Sequence, residues 1–217
     1  KMLFHLVKKD FILAKKYLLF MLIFAVIGPI FIYSKLGFDN GSFTSFLITV
    51  LFTEYILFNM VSMQEDKYRG SALLCTTPHT RNGVIKAKYL FILVIFIGCF
   101  LLFNLAVAIG FSTGLARLNI YSIGIALLII SVFFGILIPI QTKFGYEKTK
   151  YIFFILIFLT PFILPTIIEW YQSMNFNINF QLPLPQTVMV WVPFVISIFI
   201  ILISMIISIQ IFSKKNL

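Results

Sequence analysis

Charge is scarce in this sequence. Only 11% of its 217 residues are Asp, Glu, Lys or Arg, against roughly 25% in soluble globular domains. That shortage excludes a soluble globular protein. Acid is scarcer still: seven Asp and Glu stand against seventeen Lys and Arg, for a formal net charge of +10. The two histidines, His5 and His79, lie outside the long apolar runs, and no H-E-x-x-H occurs. Neither a metal site nor a histidine-based intramembrane hydrolase can be assembled from them. Cys75 and Cys99 are the only cysteines, too few for a disulfide scaffold. No G-x-x-x-x-G-K-[ST] is present, so the sequence has no P-loop. No small-residue cleavage site follows the first apolar run, so a cleavable signal peptide is not expected. Catalysis by this chain alone is not expected either, and energy would have to come from an ion gradient or a partner.

What the sequence has is apolar length. Hydrophobic residues make up 61% of it and aromatics 18%, with a mean hydropathy of +1.06. A membrane span needs about twenty mostly apolar residues. Six stretches qualify: 17–33, 43–62, 89–109, 122–141, 152–168 and 188–212. Continuous apolar character over such lengths predicts helices, since barrel strands are shorter and alternate. The fold class is therefore all-α integral membrane with six spans, in one transmembrane domain over 1–217.

The basic residues sit between the apolar runs rather than on one polar face. That sets nucleic acid aside as a partner. Lys1, Lys8, Lys9, Lys15 and Lys16 precede the first span. Lys67, Arg69, Arg81, Lys86 and Lys88 fall in the second connection, 63–88. Lys143, Lys148 and Lys150 fall in the fourth, and Lys214 and Lys215 close the tail. The opposite side has only Lys35 and Arg117. By the positive-inside rule both termini are expected in the cytoplasm. Residues 1–16 place Lys1, His5, Lys8, Lys9 and Lys16 on one helical face and Leu3, Phe4, Val7, Phe11 and Ala14 on the other. That pattern predicts an interfacial amphipathic helix with its lysines toward anionic lipid headgroups. The fifth connection, with Trp170, Tyr171, alternating Asn and Phe, and two prolines, predicts a segment at the outer interface.

Glu54 lies near the centre of the second span, in "LITVLFTEYILFN". A carboxyl at that depth costs a few kcal/mol on insertion scales and faces protein or water. With Asn59, five residues on, it is a candidate for a substrate path. It serves equally as an interhelical hydrogen bond, with Asn104 or Gln141 as partner. In "PIQTKFGYEKTKY", Pro139 bends the end of the fourth helix, Gly145 permits a tight turn, and Lys143 anchors it at the headgroups.

The second connection is the longest polar interruption. Glu65 and Asp66 follow the second span. Gly70 and Ser71 can start a short helix, with Ser71 as its cap. Ala72, Leu73, Leu74 and Cys75 give one turn of apolar surface. Pro78 ends it, because the residue before proline disfavours helix. Thr80 can cap the next helix, which carries Arg81, Lys86 and Lys88 into the third span. An exposed apolar turn between charges suits docking; it can also lie flat on the membrane.

With these motifs the chain resembles the ABC-2 type permeases, the membrane subunits of bacterial ABC exporters. The resemblance rests on "LVKKDFILAKKYL", on "EDKYRGSALLCTTPHTRNGVIKAKYL" and on "PIQTKFGYEKTKY". Glu65, Gly70, Leu73, Leu74, Pro78, Arg81, Lys88 and Tyr89 fit the family's second pattern. Thr77 stands where a Leu often precedes the Pro, and His79 replaces a small residue. A looser similarity reaches the staphylococcal permeases that export phenol-soluble modulins.

The resemblance implies a type V exporter-like permease in the bacterial cytoplasmic membrane. A second permease subunit, identical or related, would complete the pore. A separately encoded ATPase would supply ATP and magnesium, leaving no cofactor on this chain. The stretch 70–76 would be the coupling helix, with Glu65, Pro78 and Arg81 beside it. The N-terminal helix would be the connecting helix of the class. Two other readings stand beside it: a standalone proton-coupled transporter working through Glu54, and a membrane immunity or structural protein. The apolar, aromatic character fits an amphipathic or hydrophobic cargo.

Overall fold

At bilayer depth every backbone N–H and C=O must find its partner within its own segment, which favours helix. The computed structural model describes residues 2–36, 41–68, 81–109, 114–151, 154–155, 158–159, 166 and 186–214. All of these are helical except 68, 114–119, 145 and 214, and no strand occurs among them. Five long helices result: α1 (Met2–Leu36), α2 (Gly41–Lys67), α3 (Arg81–Ile109), α4 (Ile120–Phe144) and α5 (Gln186–Ser213). Each is long and apolar enough to cross a membrane. At about 1.5 Å per residue they run roughly 38 to 52 Å, more than the ~30 Å hydrocarbon core. Their polar ends therefore have length to spare beyond it.

Five of the expected spans, 17–33, 43–62, 89–109, 122–141 and 188–212, fall inside α1, α2, α3, α4 and α5. Of the stretch 152–168, residues 154, 155, 158, 159 and 166 are helical and the remainder lies outside the described residues. The expected outer segment of the fifth connection also lies outside them.

The N-terminus differs from expectation. Residues 2–16 do not form a helix of their own: α1 runs from Met2 to Leu36 as one element. Lys15 and Lys16 mark a change in hydropathy, but a change in hydropathy does not stop a helix. No Gly or Pro stands between Leu3 and Phe24 to do so. One face of this half packs on the bundle, while His5, Lys8, Lys15 and Lys16 stay exposed. Leu6 and Val7 are buried against Ala87 at the start of α3, with Phe11 and Leu90 alongside.

Three packings dominate, α4 on α5, α1 on α2 and α1 on α3, while α5 also reaches α3. Lipid supplies no hydrophobic drive between helices, so close fit and polar cross-links decide their association. Phe46 of α2 meets Phe96 and Phe103 of α3 edge to face, at 6.1 and 5.1 Å between ring centres. Gly124 lets α5 approach α4: a Cβ there would lie 2.8 Å from the Phe194 ring. The Tyr89 hydroxyl pairs with Ser204 Oγ at 2.6 Å and with Ser208 Oγ at 2.9 Å. Ser204 in turn donates to the Gly135 carbonyl at 2.6 Å. One polar chain thus ties α3, α5 and α4. The outer surface is apolar, with Leu19, Phe20, Leu101 and Phe199 exposed, as lipid contact requires.

Candidate functional site

Glu65 stands in the last turn of α2, where the helix dipole disfavours negative charge. Its compensation comes from two other helices. Lys9 of α1 approaches Oε1 at 2.5 Å, and Lys88 of α3 approaches Oε2 at 2.8 Å. Each carboxylate oxygen thus takes one ammonium. The Glu65 side chain is only 10% exposed, so the pairing is sheltered from water. Lys9 also lies 3.0 Å from Asp10 Oδ1. Asp10 is buried, so this second pairing is sheltered from water as well. The Lys88 ammonium also stands 5.9 Å from the centre of the Phe58 ring.

Beside this cluster opens a small cleft of about 80 Å³. Glu65, Lys88 and Ser62 line one side, Gln141, Gly145 and Tyr146 the other. Ser62 Oγ donates to Gln141 Oε1 at 3.1 Å. Gly145 sits at φ +86°, and its N–H closes the end of α4 on the Gln141 carbonyl at 2.9 Å. The three polar motifs of the sequence therefore converge at one end of the bundle. The N-terminal stretch brings Lys9, the second connection Glu65 and Lys88, and the fourth Gly145 and Tyr146.

Not every expected residue joins them. Gly70, Ser71, Ala72, Leu73, Leu74, Cys75 and Pro78 lie outside the described residues. Arg81 opens α3, and its side chain lies outside them too. Lys143 is exposed, 5.4 Å from the Phe144 ring centre, and does not line the cleft.

Glu54 and Asn59 part company. Glu54 is fully buried, and neither of its oxygens has a hydrogen-bond partner among the described residues. The two partners expected for it are engaged elsewhere. Asn104 donates to the Phe100 carbonyl at 2.8 Å on an exposed face, and Gln141 serves Ser62. Asn59 instead lines a groove of about 420 Å³, with Phe52, Ile56 and Met60 of α2 on one wall. Tyr146, Lys150, Tyr151 and Phe154 form the other. The Tyr55 hydroxyl donates to the Lys150 carbonyl at 3.2 Å and holds the walls together. Burial raises the pKa of the Tyr146 hydroxyl, against the opposing pull of Lys150. It therefore remains a hydrogen-bond donor at neutral pH.

The sequence reading missed these roles of Lys9, Asp10 and Lys150, turning Lys9 toward the lipid headgroups and counting Lys150 as a topology signal. One signal was present. Asp10 is the single acid in a basic N-terminal run, and an acid kept there asks for a partner. Among the described residues no three His, Cys, Asp or Glu stand together to hold a metal ion.

The family described as ABC-2 family transporter protein matches the chain over residues 5–213. No curated protein and no solved structure matches it.

Proposed function

The chain belongs to the ABC-2 transporter family, and from that premise we propose that it is the permease subunit of an ATP-driven bacterial exporter. As a family member it is a multi-pass membrane transport component. The finer reading is that a separately encoded ATPase binds the segment between α2 and α3. ATP and magnesium are held there, on the partner. A second permease subunit completes the translocation path. The cargo is an amphipathic or hydrophobic molecule, a class that includes peptide toxins and antimicrobial peptides, and it leaves across the cytoplasmic membrane.

One observation carries this reading. The segment 69–80 joins α2 to α3, and those two helices share one ion cluster. Glu65 lies in the last turn of α2 and Lys88 about two turns into α3, 2.8 Å apart, and Lys9 joins α1 to the same carboxylate. A push on the intervening segment would move three helix ends together rather than bend one loop. A permease driven by a soluble ATPase needs that rigidity. Force applied at the membrane edge must reach the spans before the loop absorbs it.

Co-purification with a co-expressed ABC ATPase subunit, followed by ATP hydrolysis with and without candidate cargo, tests the proposal. Stable association and cargo-stimulated hydrolysis are expected. A permease that purifies alone and transports without ATP contradicts it.

A further inference from the structure

The groove beside Asn59 has two unlike ends. Lys150 is the only cation among the described residues that line it, and no acid lines it. The Lys150 ammonium stands 5.0 Å from the Tyr151 ring centre and 5.9 Å from that of Tyr146. Asn59 adds an amide at the same end, toward the basic terminus of α2. Farther from that terminus the walls turn apolar. Phe52 and Ile56, four residues apart on α2, share one face, and Phe154 stands on the facing wall. At about 420 Å³ the groove falls within the roughly 300–1,000 Å³ of small-molecule sites.

Three ligand chemistries can be compared against these walls. A cationic headgroup would meet Lys150 with no acid among the described lining residues to offset it, although Asp66 acts on Tyr146 from outside the groove. A free phosphate would satisfy the lysine but leave Phe52, Ile56 and Phe154 facing water. An anionic amphiphile answers both ends at once. Lysine flanked by aromatic side chains at the basic end of a membrane bundle suits an anionic leaflet surface.

We propose that this groove binds an anionic phospholipid. Its phosphate sits at Lys150, within reach of the Asn59 amide and the Tyr146 hydroxyl, and one acyl chain lies along Phe52, Ile56 and Phe154. The site needs neither the ATPase nor a direction of transport, so it stands or falls apart from the exporter reading. It makes the permease sensitive to the anionic lipid content of its membrane.

Native mass spectrometry of the detergent-purified permease tests this, with phosphatidylglycerol and phosphatidylcholine of matched chains as probes. The parent is expected to retain phosphatidylglycerol preferentially. Lys150→Gln should lower that preference roughly five-fold, the effect of one basic residue at an anionic surface. Lys150→Arg should restore it. Lys148→Gln changes an exposed lysine of the same connection and should leave it unchanged. Ile56→Trp should weaken binding of both lipids by filling the groove. Unchanged preference in Lys150→Gln overturns the proposal, and so does a parent without preference. Displacement by glycerol phosphate alone would show a headgroup site without a chain. Displacement by an amphipathic peptide, or by a second permease copy seen as a dimer mass, would give the groove another occupant. Either result overturns it too. ATPase retention measured on the same variants separates a lost lipid site from a lost complex.

Discussion

Replacing Glu65 with Gln keeps the shape of the side chain and removes its charge. Lys9 and Lys88, which now share one carboxylate at 2.5 and 2.8 Å, would then face each other across a neutral amide. Losing one member of a buried ion pair costs about 3–5 kcal/mol. This cluster is not fully dry, because Lys9 retains 29% of its side-chain exposure and Lys88 15%. Solvent can relieve both ammonium groups in part, so the expected cost is about 2 kcal/mol. Unfolding by SDS titration in mixed micelles measures it. A double-mutant cycle sharpens the test. Lys88→Met alone should cost less than Glu65→Gln, since Lys9 still serves the carboxylate. The double variant should be more stable than the sum of the singles implies, by about 1 kcal/mol or more. A Glu65→Gln variant within about 0.5 kcal/mol of the parent, or a strictly additive cycle, would refute the view that this cluster holds the three helix ends together.

Three further outcomes follow from the packing. Gly124→Ala would place a Cβ 2.8 Å from the Phe194 ring and 3.2 Å from Pro193 Cβ, and overpacking of that kind costs about 1–3 kcal/mol. The same micelle titration should register the loss, and adding Phe194→Leu should recover part of it. Tyr89→Phe removes the hydroxyl that pairs with Ser204 and Ser208. The expected loss is about 0.6 kcal/mol per interhelical bond, and not above about 1.7. Glu54→Gln keeps the size of a side chain that has no hydrogen-bond partner among the described residues. ATP-dependent export should therefore persist in reconstituted vesicles, and its complete loss with normal assembly would assign Glu54 an ionised role in transport.

The helices were legible because each span is a continuous apolar run, and at bilayer depth such a run has one structural solution. The helix continues through Lys16, because charge shifts a hydropathy boundary without ending a helix. Gly145 could be read in advance, since few residues accept its positive φ. The partners of Glu65 could not. Lys9 is 56 residues away in sequence and Lys88 is 23, and no local pattern encodes that meeting. The same holds for Tyr89 with Ser204 and Ser208, which are unremarkable residues until three helices cross. Glu54 and Asn59 looked like a pair because they are near in sequence. Five residues turn a helix through about 500°, so their side chains leave on different faces. The polar motifs were visible as three separate stretches, and only the packing of α1, α2, α3 and α4 makes them one site.

Whether the segment between α2 and α3 receives an ATPase is the central question. Leu73→Asp combined with Leu74→Asp places two charges in the apolar stretch 72–75 and leaves every span untouched. The variant, co-expressed with an ABC ATPase that co-purifies with the parent, should insert in the membrane at the parental level and purify without the ATPase. If the ATPase comes through purification with it in parental amount, the docking site is elsewhere and the account is wrong.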